Sequence, residues 1–391
     1  MRSTKWTRRI VVQGIVVAMA QGGIAFADAP AAKWYDSVGM SGYLQTSYVG
    51  NLQNSSHNKS NQGRQFDGAT TTTNSGNSFS LNRFLLQIAK PVADSDHYGF
   101  TVRLAAGQDA TFLPSSGGNN FAVQEAYLTY AATSKLSIIG GRFVTPEGYE
   151  VVDSISNPNF SEGLLFTFAE PISHTGIKAN YVFTDKVNGT VGVVNGWNVD
   201  ADNNSQKTLL WQIATTPTKQ IGWSFQGLYG NEQTQPAAPA ATNHANVLSL
   251  DTVATYAPMD KLTLALQGNW GEQTHDPSTA NGDGTTHWLG AGVWATFAHT
   301  AKCSTSVRFE VLGDEHNANR FAVSSPSPFR DGTTNQTVKE FTITQKHMLT
   351  TAMGIRGEYR HDWSNEPYFL RSDGSAVRNQ NTLSADWFVT F

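Results

Sequence analysis

Apolar and polar residues alternate along most of this chain, in segments of about 9 to 14 residues. From Leu262 to Trp270, every second residue is apolar or small, and the residues between them are mostly polar. The segments from Ile221 to Tyr229 and from Leu383 to Phe391 repeat this pattern. A period of two is typical of a β-strand with one apolar and one polar face. The pattern therefore predicts an all-β protein.

The spacing of these segments predicts sixteen strands and an alternation of connection lengths. Even-numbered strands are followed by a few residues, such as Thr133-Ser134, whereas odd-numbered strands are followed by long stretches rich in Asn, Gly, Ser and Thr. The long stretches include 51–78, 145–171, 232–245, 273–284 and 314–335. The predicted strands begin near Val38, Phe79, Tyr98, Phe121, Lys135, Ile172, Lys186, Gln206, Gln220, Asn246, Lys261, Thr285, Ala301, Thr337, Leu349 and Arg378.

This alternation favours a transmembrane β-barrel over a soluble β-sandwich. Outer-membrane barrels have short periplasmic turns, long extracellular loops and an apolar outer band that faces lipid. Since lipid offers no hydrogen bonds, the sheet must close on itself. We predict a closed antiparallel transmembrane β-barrel of about sixteen strands over residues 38–391. A soluble or extracellular β-protein is the alternative.

Composition and the first residues place the chain outside the cytoplasm. With 15% charged residues and a mean hydropathy of −0.34, the sequence fits neither a disordered chain nor a helical membrane protein. Residues 1–27 have a basic start, a short apolar run and Ala25-Phe26-Ala27, the features of a cleaved signal peptide. Arg8-Arg9 also fits the twin-arginine route. Residues 28–37 would form a periplasmic segment.

Cleavage would remove four positive charges and no negative ones, which changes the formal net charge from −4 to −8. An acidic protein is a poor partner for nucleic acid. The single cysteine, Cys303, excludes an internal disulfide.

The positions of the charged residues support a wet barrel interior. A charge on the lipid face at mid-membrane costs about 2 to 4 kcal/mol, so charged residues should occupy the opposite register. Arg83 is out of register with Phe84 and Leu86, whereas Lys339 is in register with Phe341, near a loop end where water reaches. The predicted pore-lining residues are Arg83, Arg103, Glu125, Arg142, Lys178, Asp251, Arg308, Glu310, Arg356, Glu358 and Asp386.

Two interpretations of these charges stay open. Arg83, Arg103, Arg308, Arg356 and Arg360 should share one arc of the wall, because the last strands adjoin the first across the closure. Either they act on passing ions, or they only pair with acids such as Glu310 and Asp386 inside a water-filled lumen.

The third long stretch, 145–171, differs from the other loops because it is both apolar and acidic. Val151, Val152, Phe160 and Leu164 are residues that an exposed loop has little reason to hold. Such a loop could fold into the barrel and narrow it, or form a lid or a subunit contact. In the first case its acids would face arginines Arg83, Arg103 and Arg356, and together they would set the ion preference. The acids of this candidate constriction loop are Glu147, Glu150, Asp153 and Glu162.

One block of the sequence resembles a known family. Gly140-Gly141-Arg142-Phe143-Val144-Thr145-Pro146-Glu147-Gly148-Tyr149-Glu150-Val151, then Asn157, His174-Thr175-Gly176, Tyr181 and Val194-Asn195-Gly196-Trp197, is similar to the central block of the OmpL-like β-barrel porins of Gram-negative outer membranes. Arg308-Phe309-Glu310 and the run from Arg356 to Asp362 resemble that family's later strands. The resemblance implies a porin, and the terminal Phe391 resembles the signal that the outer-membrane assembly machinery reads.

Other chemistries find weaker support. An enzyme would need a nucleophile and a base, and His174, beside Ser173 and Thr175, is the best candidate for a barrel hydrolase. Asn198-x-Asp200-x-Asp202 begins like a calcium loop, but Asn203 replaces its glycine. No glycine-rich phosphate loop is present, so no cofactor is expected.

A structural or adhesive barrel without a conducting pore would have all the sequence features of a barrel described above. About sixteen strands leave an aqueous channel, however, and this favours passive diffusion of small hydrophilic solutes or ions. The expected partners are outer-membrane lipid, the assembly machinery and those solutes, and a homo-oligomer is compatible with the sequence.

Overall fold

The computed structural model describes residues 34–53, 77–94, 96–204, 206–232, 245–276, 284–314, 335–367, 369–371, 373 and 375–391. The expected signal peptide, 1–27, lies outside the described residues, as do most of the first, fifth and seventh long loops. In the described part of the chain, no helix is long and apolar enough to cross a membrane.

Sixteen antiparallel strands close into one barrel, because the first strand pairs with the second on one side and with the last on the other. In chain order the strands are β1 (Gly39–Asn51), β2 (Ser78–Lys90), β3 (Tyr98–Ala106), β4 (Phe121–Ala131), β5 (Leu136–Val144), β6 (Ser173–Thr184), β7 (Val187–Val194), β8 (Thr208–Thr218), β9 (Ile221–Asn231), β10 (Asn246–Met259), β11 (Leu262–Asp276), β12 (Gly284–Ala298), β13 (Cys303–Asp314), β14 (Gln336–Met348), β15 (Met353–Ser364) and β18 (Asn379–Thr390). Between β15 and β18, the two-residue strands β16 (Phe369–Leu370) and β17 (Ala376–Val377) form a hairpin.

The strand count and the alternation of short turns with long loops are confirmed. The one boundary that is clearly wrong is β15, which begins at Met353 rather than near Leu349. Leu349 to Ala352 form the preceding turn instead. The backbone N–H of Leu349 donates to the carbonyl oxygen of Met353, and the Thr350 hydroxyl accepts from the Met353 N–H.

The two faces of the wall differ as the pattern predicts. Leu128, Ile177, Leu266 and Leu289 are each more than half exposed on the outer face, where lipid would cover them. Gln45, Gln226, Thr342 and Asp386 are among the buried polar residues of the inner face. Lys339 keeps the outward register, since it pairs across strands with Val311 and Trp363.

The interior also contains apolar clusters, which the sequence did not predict. In the larger one, inward residues of the wall such as Leu210, Val247 and Leu312 pack against Leu164 and Leu165. A second cluster joins inward residues of β1 to β4 with Val152 and Phe166. The short helical turns lie at Trp34–Ser37, Gln108–Phe112, Pro114–Ser116, Ser154–Ser156 and, as a π-helix, Leu165–Ala169.

Candidate functional site: the barrel interior and its third loop

The third loop, residues 145–172, leaves β5 and returns to β6 after an excursion into the lumen. Its two ends are neighbours, because the N–H of Thr145 donates to the carbonyl oxygen of Ile172 at 3.1 Å. Between these ends the loop contacts inward side chains near the middle of several distant strands. The loop therefore lies inside the barrel and not over its mouth.

The first part of the loop is bound to β8, β10 and β11. Gln212 donates to the carbonyl oxygen of Pro146 at 3.1 Å, and the N–H of Gly148 donates to Asp251 at 3.1 Å. The N–H of Tyr149 donates to Gln267 at 3.0 Å. Gly148 has a φ of +91°, and a Cβ on it would lie 1.9 Å from a carboxylate oxygen of Glu170, so only glycine fits here.

The loop then reaches Arg308 on β13. The guanidinium of Arg308 donates to Glu150 on the loop at 2.5 Å and to Glu340 on the neighbouring strand at 2.8 Å. It also donates to the carbonyl oxygen of Ser161 at 2.5 Å, while Glu150 accepts from the N–H of Gly163 at 2.6 Å. These side chains are fully buried, so the ion pairs form away from water.

Arg356 and its neighbours on β15 bind the next part of the loop through its backbone. Arg356 forms a two-bond ion pair with Asp386 at 2.9 Å for each bond. Its remaining nitrogen donates to the carbonyl oxygens of Ser154 at 2.8 Å and of Asn159 at 3.0 Å. Further contacts on this strand are from the N–H of Phe160 to Glu358 at 2.6 Å and from Arg360 to the carbonyl oxygen of Glu162 at 2.7 Å.

On the other side of β18 and β1, the strands β2 and β3 also bind the loop. Arg83 donates to the carbonyl oxygen of Val152 at 2.6 Å. Arg103 pairs with Asp153 on the loop and, at 3.0 Å, with Glu125 on β4. Burial raises the pKa of the Asp153 carboxyl, but Arg103 and Arg83 lower it by more, so the net shift is downward and the carboxylate form is favoured.

The last part of the loop has almost no charge and is held by packing. Leu164, Leu165 and Phe168 belong to the larger apolar cluster of the interior, whose wall residues come from β5 and from β7 to β14. Leu164 and Leu165 are completely buried. Burial of side chains of this size stabilises a structure by roughly 1.5 to 3 kcal/mol each. The loop is thus fixed by ion pairs on β3 and β13, by hydrogen bonds on several other strands, and by an apolar cluster that includes residues of β13 and β14.

Solved structures of outer-membrane proteins have the same fold. The outer membrane channel DcaP of Acinetobacter baumannii matches with a TM-score of 0.60 at 12% identity, over 90% of this chain and 97% of that chain. An anion-selective porin from Comamonas acidovorans matches at 0.58 and 10% identity, over 91% and 99%. OmpF of Salmonella typhi, in complex with daunomycin, matches at 0.56 and 14% identity, over 92% and 99%. A sequence search of curated proteins found no match.

The model of the family described as "Putative beta-barrel porin-2, OmpL-like" matches residues 37–391. The chain belongs to this family. It is therefore an outer-membrane porin, as the block from Gly140 to Trp197 implied.

Most residues expected to line the pore of this porin face inward but do not contact the open lumen. Nine of the eleven are at most 7% exposed, because the third loop and neighbouring side chains cover them. These nine residues therefore do not touch a passing solute, in contrast to the expectation from the sequence. Of the eleven, only Arg103 and Lys178 are partly exposed. The covered residues are Arg83, Glu125, Arg142, Asp251, Arg308, Glu310, Arg356, Glu358 and Asp386.

Arg142 needs a second correction, because its register is that of the outer face. It pairs with Ala126 and Thr175, and both are two residues away from the strongly exposed Leu128 and Ile177. Its guanidinium donates to the hydroxyl of Ser173 at 2.8 Å and pairs with Asp200. Arg142 therefore ties the β7–β8 loop to β6 and does not line the lumen.

Four acids of the loop fall into two groups, and a further one, Glu162, is completely buried where Arg360 binds its backbone carbonyl oxygen. Glu150 and Asp153 pair with arginines, whereas Glu147 and Glu170 lie near Asp251. Gln267 donates both to Glu170 and, at 2.7 Å, to Asp251, and Ser249 donates to Glu147 at 2.8 Å. Burial, and then the Asp251 carboxylate, raise the pKa of Glu170 well above its usual range, which favours the protonated form.

Sequence reasoning missed several amide side chains that bind the loop, among them Gln45, Gln212 and Gln267. Gln45 accepts from the hydroxyl of Ser154 at 2.8 Å and donates to Asp386 at 2.9 Å. The inward register marks these residues, although an uncharged amide in that register does not by itself indicate a loop contact.

The weaker candidates have structural roles in the described residues. The ring nitrogens of His174 lie 3.0 Å from the carbonyl oxygen of Gly196 and 3.3 Å from the Thr145 hydroxyl, inside the protein. Asn198 accepts from the N–H of Ile172 at 2.6 Å, which anchors the loop end. Within the described ranges, no cluster of three or more His, Cys, Asp or Glu could hold a metal ion.

Proposed function

We propose that this porin is a passive diffusion channel for small hydrophilic solutes or ions, and that its third loop sets the size limit. The observation that carries the proposal is the position of the loop, which forms an ion pair with Arg308, accepts hydrogen bonds from Arg356 through its backbone and packs Leu165 against another part of the inner wall. A loop fixed across a barrel of about sixteen strands narrows the channel without needing to close it.

Further parts of the proposal concern export and assembly. We propose cleavage after Ala27, insertion from the periplasm with Phe391 as the assembly signal, and transport without a catalytic step. The hydrogen bonds of His174 to Gly196 and Thr145 support transport without a catalytic step, because they occupy both ring nitrogens.

Single-channel recording on the refolded protein tests the proposal. We expect discrete conductance steps in a planar bilayer, and liposomes that carry the protein should swell in small sugars and swell less as the sugar grows. Folding is checked separately by the change in gel mobility on heating. A correctly folded barrel without conductance would contradict the proposal and favour a structural or adhesive barrel.

A further inference from the structure

The cationic side chains inside the barrel are of two kinds. The inward arginines are neutralised: Arg308 and Arg360 pair with Glu340, Arg356 with Asp386, and Arg103 with Glu125. Arg83 lies 3.7 Å from the Asp153 carboxylate. An ion pair of this kind presents little net charge to a passing ion. Two inward lysines have a different environment.

Lys178 points inward from the middle of β6. Its neighbour Ile177 is strongly exposed on the outer face, and its cross-strand partners are Ile139 and Gly192. The ammonium nitrogen lies 4.1 Å from the centre of the Phe143 ring. No described carboxylate forms an ion pair with it, and no described acceptor takes a hydrogen bond from it. A cation over an aromatic face keeps N–H donors that the ring does not use up.

Lys346 lies on β14 near the periplasmic end, in register with Arg356. Its ammonium nitrogen is 5.1 Å from the centre of the Phe388 ring, and the guanidinium carbon of Arg356 lies 5.6 Å from the same ring. Since Asp386 already neutralises Arg356, it adds little negative charge at Lys346. Among the described residues, Lys346 has an aromatic contact but no ion pair.

The nearby acids do not cancel the two lysines. Both oxygens of Glu125 are occupied, one by Arg103 at 3.0 Å and the other by the N–H of Val144 at 3.2 Å. Asp386 accepts from Arg356 on both oxygens and from Gln45. Glu147, Glu170 and Asp251 are at most 4% exposed between the loop and the wall.

We propose that Lys178 and Lys346 give the channel a preference for small anions with oxygen or halide acceptors, such as carboxylates, phosphate and chloride. This inference rests on the proposed channel function. Each ammonium group offers N–H donors that no protein group uses, and an anion that sheds part of its water would accept them. The preference for anions thus originates at the two lysines and not at the wall arginines that bind the third loop.

The reversal potential of the refolded protein under a potassium chloride gradient tests this assignment. We expect the wild type to favour chloride. Removing one unit charge about 10 Å from the path in a water-like medium should change each permeability by roughly twofold, downward for chloride and upward for potassium, so their ratio should fall by up to about fourfold for each lysine. The variants are Lys178→Gln and Lys346→Gln, singly and together, with Lys178→Arg and Lys346→Arg as charge-preserving partners.

Lys339→Gln is the matched control, because Lys339 has the outward register on the same strand as Lys346. We expect it to leave the ratio unchanged, and acetate and phosphate should follow chloride in their response to the double variant. A conducting double variant with the wild-type ratio would overturn the inference and leave the channel proposal standing. A folded wild type without conductance would remove both.

Discussion

The two arcs of the inner wall hold the third loop by different physical means. On β13 to β15 the contacts are ion pairs and hydrogen bonds, with Arg308 and Arg356 at their centre. On the adjoining arc, β11 and β12, the segment from Leu165 to Ala169 is held by apolar packing, in a cluster to which β13 also contributes Leu312. Apolar burial stabilises without strong directional preference, whereas a buried ion pair is favourable only in one geometry. The comparison indicates that packing keeps the loop in the lumen and that the arginines fix its position there.

The largest effect is expected from breaking the charged arc. Arg308→Met should lower the free energy of unfolding by about 3 to 5 kcal/mol, because Glu150 loses its buried partner and Glu340 keeps only Arg360. Urea unfolding of the refolded barrel measures this change. Lys339→Met, which removes an outward lysine on the adjacent strand, is the control and should have a much smaller effect. Equal effects for both variants would show that the Arg308 pairs do not stabilise the loop.

A somewhat smaller effect is expected on the apolar arc. Leu165→Ala should cost about 2 to 5 kcal/mol, since Leu165 is completely buried and a cavity would remain. Leu266→Ala is the control, because Leu266 is 57% exposed on the outer face. If Leu165→Ala is as mild as Leu266→Ala, packing does not hold this part of the loop.

Gly163→Ala tests the close contact between the third loop and Glu310 on β13 without changing charge. A Cβ at this position would lie 2.1 Å from a carboxylate oxygen of Glu310, so the loop must shift, at a cost of about 1 to 3 kcal/mol. Gly357→Ala is the control, because a Cβ there meets nothing within 4 Å. We expect altered single-channel conductance only for Gly163→Ala. Identical conductance in both variants would mean that the loop position is not sensitive to this contact.

The smallest effect on conduction is expected at the C-terminus. Phe391 exchanges two backbone hydrogen bonds of 3.0 Å with Gly42 at the closure, and its ring stacks on Phe84. Its deletion should reduce the amount of folded barrel in the outer membrane but leave the conductance of assembled channels unchanged. Phe391→Tyr should assemble normally. Normal assembly of the truncated protein would exclude Phe391 as an assembly signal.

The sequence predicts the barrel well because each strand carries its own period-two signal, and closure follows from the absence of hydrogen bonds in lipid. It also marks the third loop, whose apolar and acidic residues do not suit an exposed segment. It does not predict the partner of each charge. Glu150 and Arg308 are 158 positions apart, and their contact depends on how the closed barrel staggers its strands.

The alternation of inward and outward residues also fails to predict which side chains are buried at the β-bulges. The pairing of β1 with β2 shifts between Gln45 and Thr46, and the successive residues Asn82 and Arg83 are both buried. The same happens at Gln124 and Glu125. A β-bulge adds one residue to a strand, so the alternation changes phase there. The sequence does not predict the inner apolar clusters, because the inward register of a water-filled barrel is expected to be polar.

The measurement that tests the central claim most directly is the single-channel conductance of a loop deletion beside the wild type. Removing residues 147–162 takes away the segment that binds Arg308 and Arg356, while Thr145 and Ile172 still connect the ends of β5 and β6. We expect a folded barrel with a larger conductance that admits larger sugars in liposome swelling. A folded deletion variant with the wild-type conductance and size limit would show that the constriction lies elsewhere.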